Sequence, residues 1–303
     1  MEVGIVGLGR MGLNLARQAA ERGHLVYGYD PRAEPARVAE AGVEPTTTVA
    51  GLVDALDRPR ILAVYVPHGE PTETVLDEML ELLDPHDIVI DGGNSRWTDS
   101  VCRHARFREA GVDFLDVGTS GGIEGARSGA AFMVGGSDAA FMRVRPLLED
   151  LAAGPEAVHH AGPAGAGHFV KLVHNAIEFG MIQSIAEGVE LLERSDYALD
   201  LGSLFGHWNH GTVIRSRLVE LMGEALDETP DRSALSTFVE DTGEVKWVLG
   251  WALERDIPTP VVSAAQTMLM QYRDTESPAA RAVALLRNRF GGHPVHTRDP
   301  VGG

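Results

Sequence analysis

The sequence is short of cysteine and of lysine and has no long apolar run, and each shortage narrows what the chain can be. Cys102 is the only cysteine in 303 residues. A disulfide framework and a cysteine-based zinc site are both excluded, and a lone thiol fits a reducing cytoplasm. No run of about 18 apolar residues occurs, so no membrane span is expected. Glu2 and the early glycines interrupt the apolar stretch that a signal peptide would need. Hydrophobic residues still make up 44% of the chain, enough for a packed interior. The length exceeds what one core usually organises, so two domains are expected.

Positive charge is also scarce. Lys and Arg number 26 against 44 Asp and Glu, a net charge of −18. Such a field repels nucleic acid and anionic membrane. Lys171 and Lys246 are the only lysines; every other basic residue is arginine. An acidic, lysine-poor composition points to salt adaptation, with high-GC codon usage as the alternative. The same scarcity carries a chemical hint. Arginine binds anions but cannot be deprotonated in a protein. A chain that writes arginine nearly everywhere yet keeps Lys171 is expected to need proton chemistry there.

What is present reads as two halves. Residues 2–6 form a buried strand, followed by a glycine turn and an amphipathic helix to about residue 22. Apolar runs at 24–29, 61–66, 88–90, 112–117 and 131–134 read as further strands, with helical patterns between them. Strands alternating with helices imply a parallel, doubly wound Rossmann-type sheet. The Gly-, Ala- and Pro-rich stretch 152–167 reads as a boundary. Beyond it the pattern is helical: one long helix over 164–194, then helices near 212–226, 243–255, 260–273 and 278–289. The expected organisation is a dinucleotide-binding α/β domain over 1–160 and an all-helical domain for substrate and dimerisation over 161–303.

Gly7-Leu8-Gly9-Arg10-Met11-Gly12 matches G-x-G-x-x-G between a strand and a helix. The first glycine permits the turn, the second lets backbone approach a pyrophosphate, and the third allows close packing. The helix N-terminus faces the phosphates. Asp30 ends the next strand, 18 residues past Gly12. A carboxylate there accepts hydrogen bonds from ribose hydroxyls and repels a 2′-phosphate, which favours NAD. Arg32 keeps NADP open. Val66 and Asn94, at two further strand ends, complete the cofactor candidates.

On a helix Lys171, His174, Asn175 and Glu178 share one face at i, i+3, i+4 and i+7. The rest of that helix is apolar nearly all round, so the polar stripe is expected to be enclosed and to need partners or a substrate. The alternative is a solvated polar face with a Lys–Glu pair. Asp116-Val117-Gly118-Thr119-Ser120-Gly121-Gly122 ends a strand, and its small residues let amides approach an anion. Asp91-Gly92-Gly93-Asn94-Ser95 follows another strand. Ligands of doubly wound sheets bind beyond such strand ends. His159, His160, His207 and His210 show no metal spacing with carboxylates, and no catalytic metal is expected. Trp247 and Trp251, at i and i+4, are read as packing, and Cys102 as inert.

Taken together these motifs resemble the 6-phosphogluconate dehydrogenase family, within the β-hydroxyacid dehydrogenases. The Asp-Gly-Gly-Asn turn, Gly167-His168-Phe169-Val170-Lys171 with His174-Asn175 and Ile177-Glu178, and Arg287-Asn288-Arg289-Phe290-Gly291-Gly292-His293 carry the likeness. There is room for one helical domain, as in the short form. The resemblance implies oxidative decarboxylation with NAD or NADP. Lys171 matches the base at the C3 hydroxyl, and Glu178 the acid that protonates what becomes C1 of ribulose 5-phosphate. Asn94, Ser120, Gly121, Gly122, His174 and Asn175 match substrate-holding positions. Arg287 and His293 match the tail that completes the partner subunit's site, so a homodimer is implied. A base must be neutral to act, and burial lowers a lysine's pKa in that direction.

Three positions depart from the family. Phe179 stands where a tyrosine is usual, Leu269 where an arginine falls, and Thr242 near a phosphate-binding lysine. Arg273 and Lys246 are the candidate substitutes. Two other readings compete. One is a β-hydroxyacid dehydrogenase for a small unphosphorylated acid. The other is a non-catalytic dinucleotide-binding scaffold, which the intact Lys171 opposes.

Overall fold

A computed structural model of the chain describes residues 1–229, 231–273 and 277–291, the last stretch partly by backbone alone. Two compact units emerge: Met1–Ile177 with Glu244–Asp256, and Glu178–Gly243 with the residues from Ile257 onward.

The first unit is built on an eight-stranded sheet. Its strands are β1 (Glu2–Val6), β2 (Leu25–Tyr29), β3 (Glu44–Pro45), β4 (Ile61–Val64), β5 (Ile88–Asp91), β6 (Asp113–Ser120), β7 (Ala131–Gly135) and β8 (Val158–Gly162). Their spatial order is β3-β2-β1-β4-β5-β6-β7-β8. The helices between them are α1 (Arg10–Glu21), α2 (Pro35–Glu40), α3 (Val49–Asp54), α4 (Glu70–Leu82), α5 (Trp97–Glu109), α6 (Gly122–Ser128) and α7 (Asp138–Leu151). The order reverses beside β1, which pairs with β2 on one side and β4 on the other. That is the place where such sheets receive ligands.

Strand periodicity divides the core between the two faces of the sheet. Val3, Ile5, Ile61, Ala63, Ile88 and Ile90 pack on one face with Leu13, Leu15 and Ala16 of α1 and Phe141 and Val144 of α7. Val6, Leu62, Val64 and Val89 pack on the other with Leu52, Leu76, Met79 and Phe107. Side chains point alternately up and down a strand, so a strand covered on both faces reads as one unbroken apolar run. Each such Leu, Ile or Val removed from water contributes roughly 1.5–3 kcal/mol.

The sheet departs from an all-parallel one at β7, which runs antiparallel to β6. Only residues 121–130 join the two strands, and a parallel return needs a dozen or more. The stretch 152–167 contains the strand β8, parallel to β7. The two-residue β3 carries too short a pattern to be read from sequence.

The long helix α8 (Ala166–Glu193) starts in the first unit, which also includes α11 (Glu244–Leu253). The second unit holds the rest of α8 with α9 (Leu201–Trp208), α10 (Arg217–Glu228), α12 (Pro260–Arg273) and α13 (Pro278–Gly291). Phe205, Val219 and Leu226 form its buried cluster. Asp200 and Ser216 cap α9 and α10, accepting the Ser203 and Val219 amides at 3.2 Å each. The eight-residue α9 was not expected, being too short to show a period. Among the described residues no helix is long and apolar enough to cross a membrane.

Candidate active site

The glycine turn after β1 is shaped by contacts that allow no side chain. Gly7 has φ +91°, and a Cβ there would lie 2.4 Å from the Tyr65 carbonyl oxygen. A Cβ on Gly12 would lie 1.9 Å from the Gly7 oxygen. Gly9 has nothing within 4 Å of its missing Cβ. It is the N-cap of α1 and gives that helix no side-chain cap. Open space therefore adjoins the start of a helix, where amides and the dipole favour an anion. Asp30 stands across the turn. Its Oδ2 accepts the Leu8 amide at 2.9 Å and its Oδ1 the Arg32 amide at 2.8 Å. These bonds fix the carboxylate and leave it further lone pairs for ribose hydroxyls. Arg10 and Arg32 are exposed, while Met11 and Val66 are half-buried. Val66 links this turn to the next loop: its Cγ1 would lie 2.9 Å from a Cβ on Gly7, and its carbonyl 3.0 Å from one on Gly93. The arrangement fits a dinucleotide: an open backbone cradle at a helix start, with an acidic group one strand away.

The loop after β5 is held from beneath by a buried ion pair. Asp91 is fully buried, and its Oδ2 accepts from Arg103 Nη1 at 2.7 Å. The same Nη1 donates to Ser95 Oγ at 2.9 Å, and Nε and Nη2 donate to Glu73. Asp91 Oδ1 accepts the Gly93 amide at 3.1 Å. Asn94 projects from a loop whose two ends are thus tied to one arginine. Tyr65 underlies it, for a Cβ on Gly92 would meet the Tyr65 ring at 2.4 Å. Burial pushes the Tyr65 hydroxyl up to about 12; its bond to Thr119 Oγ1, at 3.4 Å, opposes the shift.

The helix carrying Lys171 is anchored by Asp116, the fully buried fourth residue of β6. Its Oδ1 accepts the Gly165 amide at 2.7 Å and its Oδ2 the His168 amide at 2.8 Å. A carboxylate at a helix start satisfies amides that have no partner within the helix and faces the positive end of its dipole. Glycines then let α8 settle onto the sheet. A Cβ on Gly167 would lie 2.2 Å from the Asp116 carbonyl oxygen and 2.5 Å from that of Met133. A Cβ on Gly118 would lie 2.3 Å from the Cβ of Lys171.

Around Lys171 the polar groups touch in sequence. Its Nζ lies 3.5 Å from His174 Nδ1. That nitrogen is 3.2 Å from Asn175 Oδ1, and His174 Nε2 is 3.3 Å from Ser120 Oγ. Asn175 Nδ2 donates to Glu244 Oε1 at 3.5 Å, and both of these residues are buried. Aromatic edges seat α11 against the sheet unit: Trp251 on Phe169 at 4.9 Å between centroids, Phe169 on Trp97 at 5.2 Å, and Trp247 on His68 at 5.1 Å. Gly121 and Gly122 follow Ser120 with φ +112° and +64° and open α6. A half-buried amine, an imidazole, an amide and a hydroxyl thus gather at the end of β6. Such a group can bind a polyhydroxy acid and move a proton.

Of the residues singled out from sequence, the first unit brings together Lys171, His174, Asn175 and Ser120. Glu178, two turns further along α8, is half-buried and belongs to the second unit. The enclosure expected for α8 is one-sided in the single chain, since Val170, Ile177, Met181 and Ile182 are exposed. Arg273 faces Asp241 at 3.8 Å and stacks over Phe238. Lys246 and Thr242 are exposed. The Arg287 side chain and His293 lie outside the described residues. Sequence reasoning missed Glu244, whose neighbours Thr242 and Lys246 had drawn attention instead. It also missed Asp116 as the anchor of α8 and Gly118 as the seat of Lys171. A carboxylate on a buried strand is the one signal that could have found Asp116.

Comparison with known proteins fits this geometry. Residues 2–162 match the family described as the NAD binding domain of 6-phosphogluconate dehydrogenase, and residues 167–196 and 191–302 match its C-terminal domain. The chain is 42% identical to YqeC of Bacillus subtilis (strain 168) over 301 residues, covering 98% of this chain and all of that one. It is 38% identical, over 99% of its length, to the full-length NAD(+)-dependent, decarboxylating 6-phosphogluconate dehydrogenase of Haloferax volcanii. Among solved structures it is similar to the 6-phosphogluconate dehydrogenase of Plasmodium falciparum, with TM-score 0.83 and 28% identity, covering all of this chain and 67% of that one.

Proposed function

The chain belongs to the 6-phosphogluconate dehydrogenase family, and from that premise we propose that it oxidatively decarboxylates 6-phosphogluconate to ribulose 5-phosphate and carbon dioxide, with NAD favoured over NADP. The observation that carries this reading is the contact of Lys171 with His174 at the end of β6, on a helix locked to that strand by Asp116. Gly7, Gly9 and Gly12 with Leu8, Arg10 and Met11 hold the dinucleotide phosphates, Asp30 beside Arg32 the ribose, and Val66 and Asn94 the nicotinamide end. When bound, the dinucleotide supplies the hydride acceptor.

The chain's own residues do the rest. Lys171, unprotonated, takes the proton of the C3 hydroxyl as that carbon is oxidised, and a β-keto acid loses its carboxylate readily. Lys171, now cationic, holds the oxygen at C3 while negative charge develops there. Glu178 gives a proton to the carbon that carried the carboxylate, C2 of the acid and C1 of ribulose 5-phosphate. Asn94, Ser120, Gly121, Gly122, His174 and Asn175 orient the sugar acid. Arg287 and His293 are carried over as the tail that completes the partner subunit's site in a homodimer. The lone cysteine keeps a cytoplasmic setting within this reading, and the charge of −18 keeps salt adaptation within it.

The test is formation of reduced cofactor with 6-phosphogluconate and with gluconate, for NAD and NADP, at low and high KCl, with Lys171→Ala as control. Turnover and carbon dioxide release with the phosphorylated substrate alone, lost in the variant, support the reading. Turnover with gluconate alone would replace it by a hydroxyacid dehydrogenase for unphosphorylated acids, which the engagement of Arg273 with Asp241 favours.

A further inference from the structure

We infer that Glu244 is a positioning residue that fixes which ring nitrogen of His174 carries the proton. The assignment holds with Lys171 neutral, as its reading as the base requires, because a cationic ammonium would claim the Nδ1 lone pair; the catalytic consequence rests on the same reading.

Glu244 is only 7% exposed and Asn175 only 8%, so their interaction is weakly screened. A primary amide beside a carboxylate turns its NH2 group toward the charge. The opposite orientation would set amide oxygen against carboxylate oxygen, with no hydrogen between them. Asn175 Nδ2 faces Glu244 Oε1 at 3.5 Å in this sense. The bond is long, but the preference comes from charge against dipole and survives at that distance. Asn175 Oδ1 is thereby turned toward His174 Nδ1, 3.2 Å away. An amide oxygen can only accept, so Nδ1 must carry the hydrogen. Nε2 is then the unprotonated nitrogen, and the hydroxyl of Ser120, at 3.3 Å, donates to it. The hydrogen bonds run one way: Ser120 hydroxyl to imidazole, imidazole to amide, amide to carboxylate.

Two consequences follow for the site. Lys171 Nζ lies 3.5 Å from a nitrogen that bears a hydrogen and has no free lone pair. His174 therefore cannot take a proton from Lys171 at that nitrogen, and it orients the substrate without relaying the proton. The hydrogen of Ser120 is committed to the ring, so Ser120 presents only lone pairs to the sugar acid. It accepts from a substrate hydroxyl and does not donate to a substrate oxygen.

The test uses the full chain with 15N-labelled histidine and no substrate, about two pH units above the ordinary histidine value of roughly 6.5. Long-range proton–nitrogen correlation spectra report which ring nitrogen is protonated, and His174→Gln identifies the resonances. The expected result is a single Nδ1–H tautomer. In Glu244→Gln the new side chain offers both a donor and an acceptor to Asn175, so that amide can turn. A mixture of tautomers, or Nε2–H, is expected. A wild-type spectrum showing Nε2–H overturns the inference. So does an unchanged Nδ1–H pattern in a Glu244→Gln protein of unaltered melting temperature. Should that variant not fold, Asn175→Ala breaks the chain one link earlier and is expected to lose the Nδ1–H preference; retention overturns the inference. The spectra need no turnover, so failure here is distinct from absence of activity on 6-phosphogluconate.

Discussion

Gly118 and Lys171 share one space. A Cβ on the strand residue would lie 2.3 Å from the Cβ of the helix residue, so the absence of a side chain on β6 lets the lysine reach the strand end. Gly118→Ala must push α8 outward. Overpacking of this kind typically costs about 1–3 kcal/mol, and an ångström of misplacement can cost on the order of a hundredfold in rate. Denaturant titration and steady-state kinetics should show both losses together. A variant with unchanged stability and kcat would remove Gly118 as the seat of the lysine.

Replacing Lys171 tests proton transfer directly. Lys171→Arg keeps the positive charge but cannot offer a neutral nitrogen near neutral pH. It is expected to be as inactive as Lys171→Ala, with kcat lower by roughly 10²–10⁴. Dinucleotide affinity, followed by quenching of tryptophan fluorescence, should be unchanged. Substantial activity in the arginine variant would mean that Lys171 acts by charge alone.

Asp30 is fixed by two backbone amides, and on the proposed reading its remaining lone pairs take ribose hydroxyls. Removing a charged hydrogen-bond acceptor costs about 1.5–3 kcal/mol. Asp30→Ala is therefore expected to raise the KM for NAD by about ten- to a hundredfold. NADP should suffer less, because a 2′-phosphate no longer meets a carboxylate. Equal losses for both cofactors would show that Asp30 shapes the turn and does not select the ribose.

The pair Asp91–Arg103 lies wholly out of water. Breaking a buried pair from one side strands a charge and typically costs about 3–5 kcal/mol. Arg103→Leu should lower the urea midpoint accordingly and weaken substrate and cofactor binding together, since the loop bearing Asn94 loses its tie. A change below about 1 kcal/mol would show that Asp91 finds another partner.

Tyr65 predicts alkaline behaviour. Its hydroxyl rises from 10.0 to about 12 through burial, so the folded state holds the proton more tightly than the unfolded chain. That contribution to stability is fully present below pH 10 and is lost as pH rises from there through about 12. A change of that size is worth roughly 3 kcal/mol. Tyr65→Phe should flatten this part of the stability curve, measured by urea unfolding at pH values across the window. An equally steep fall in the variant would assign the alkaline loss to other groups.

The sequence by itself determined the strand–helix alternation, the glycine turn with Asp30, and the grouping of Lys171, His174, Asn175 and Glu178 along one helix. These are local facts, written by period and by spacing within single elements. Tertiary structure alone decided how that helix meets the sheet. Asp116 lies 49 residues before the Gly165 amide it accepts, and Glu244 lies 69 residues beyond the Asn175 amide it receives. A strand aspartate and a helix glutamate carry no local mark of such partners. Their roles arise because burial leaves a charge few places to be satisfied, and only the packed chain shows which amides are within reach.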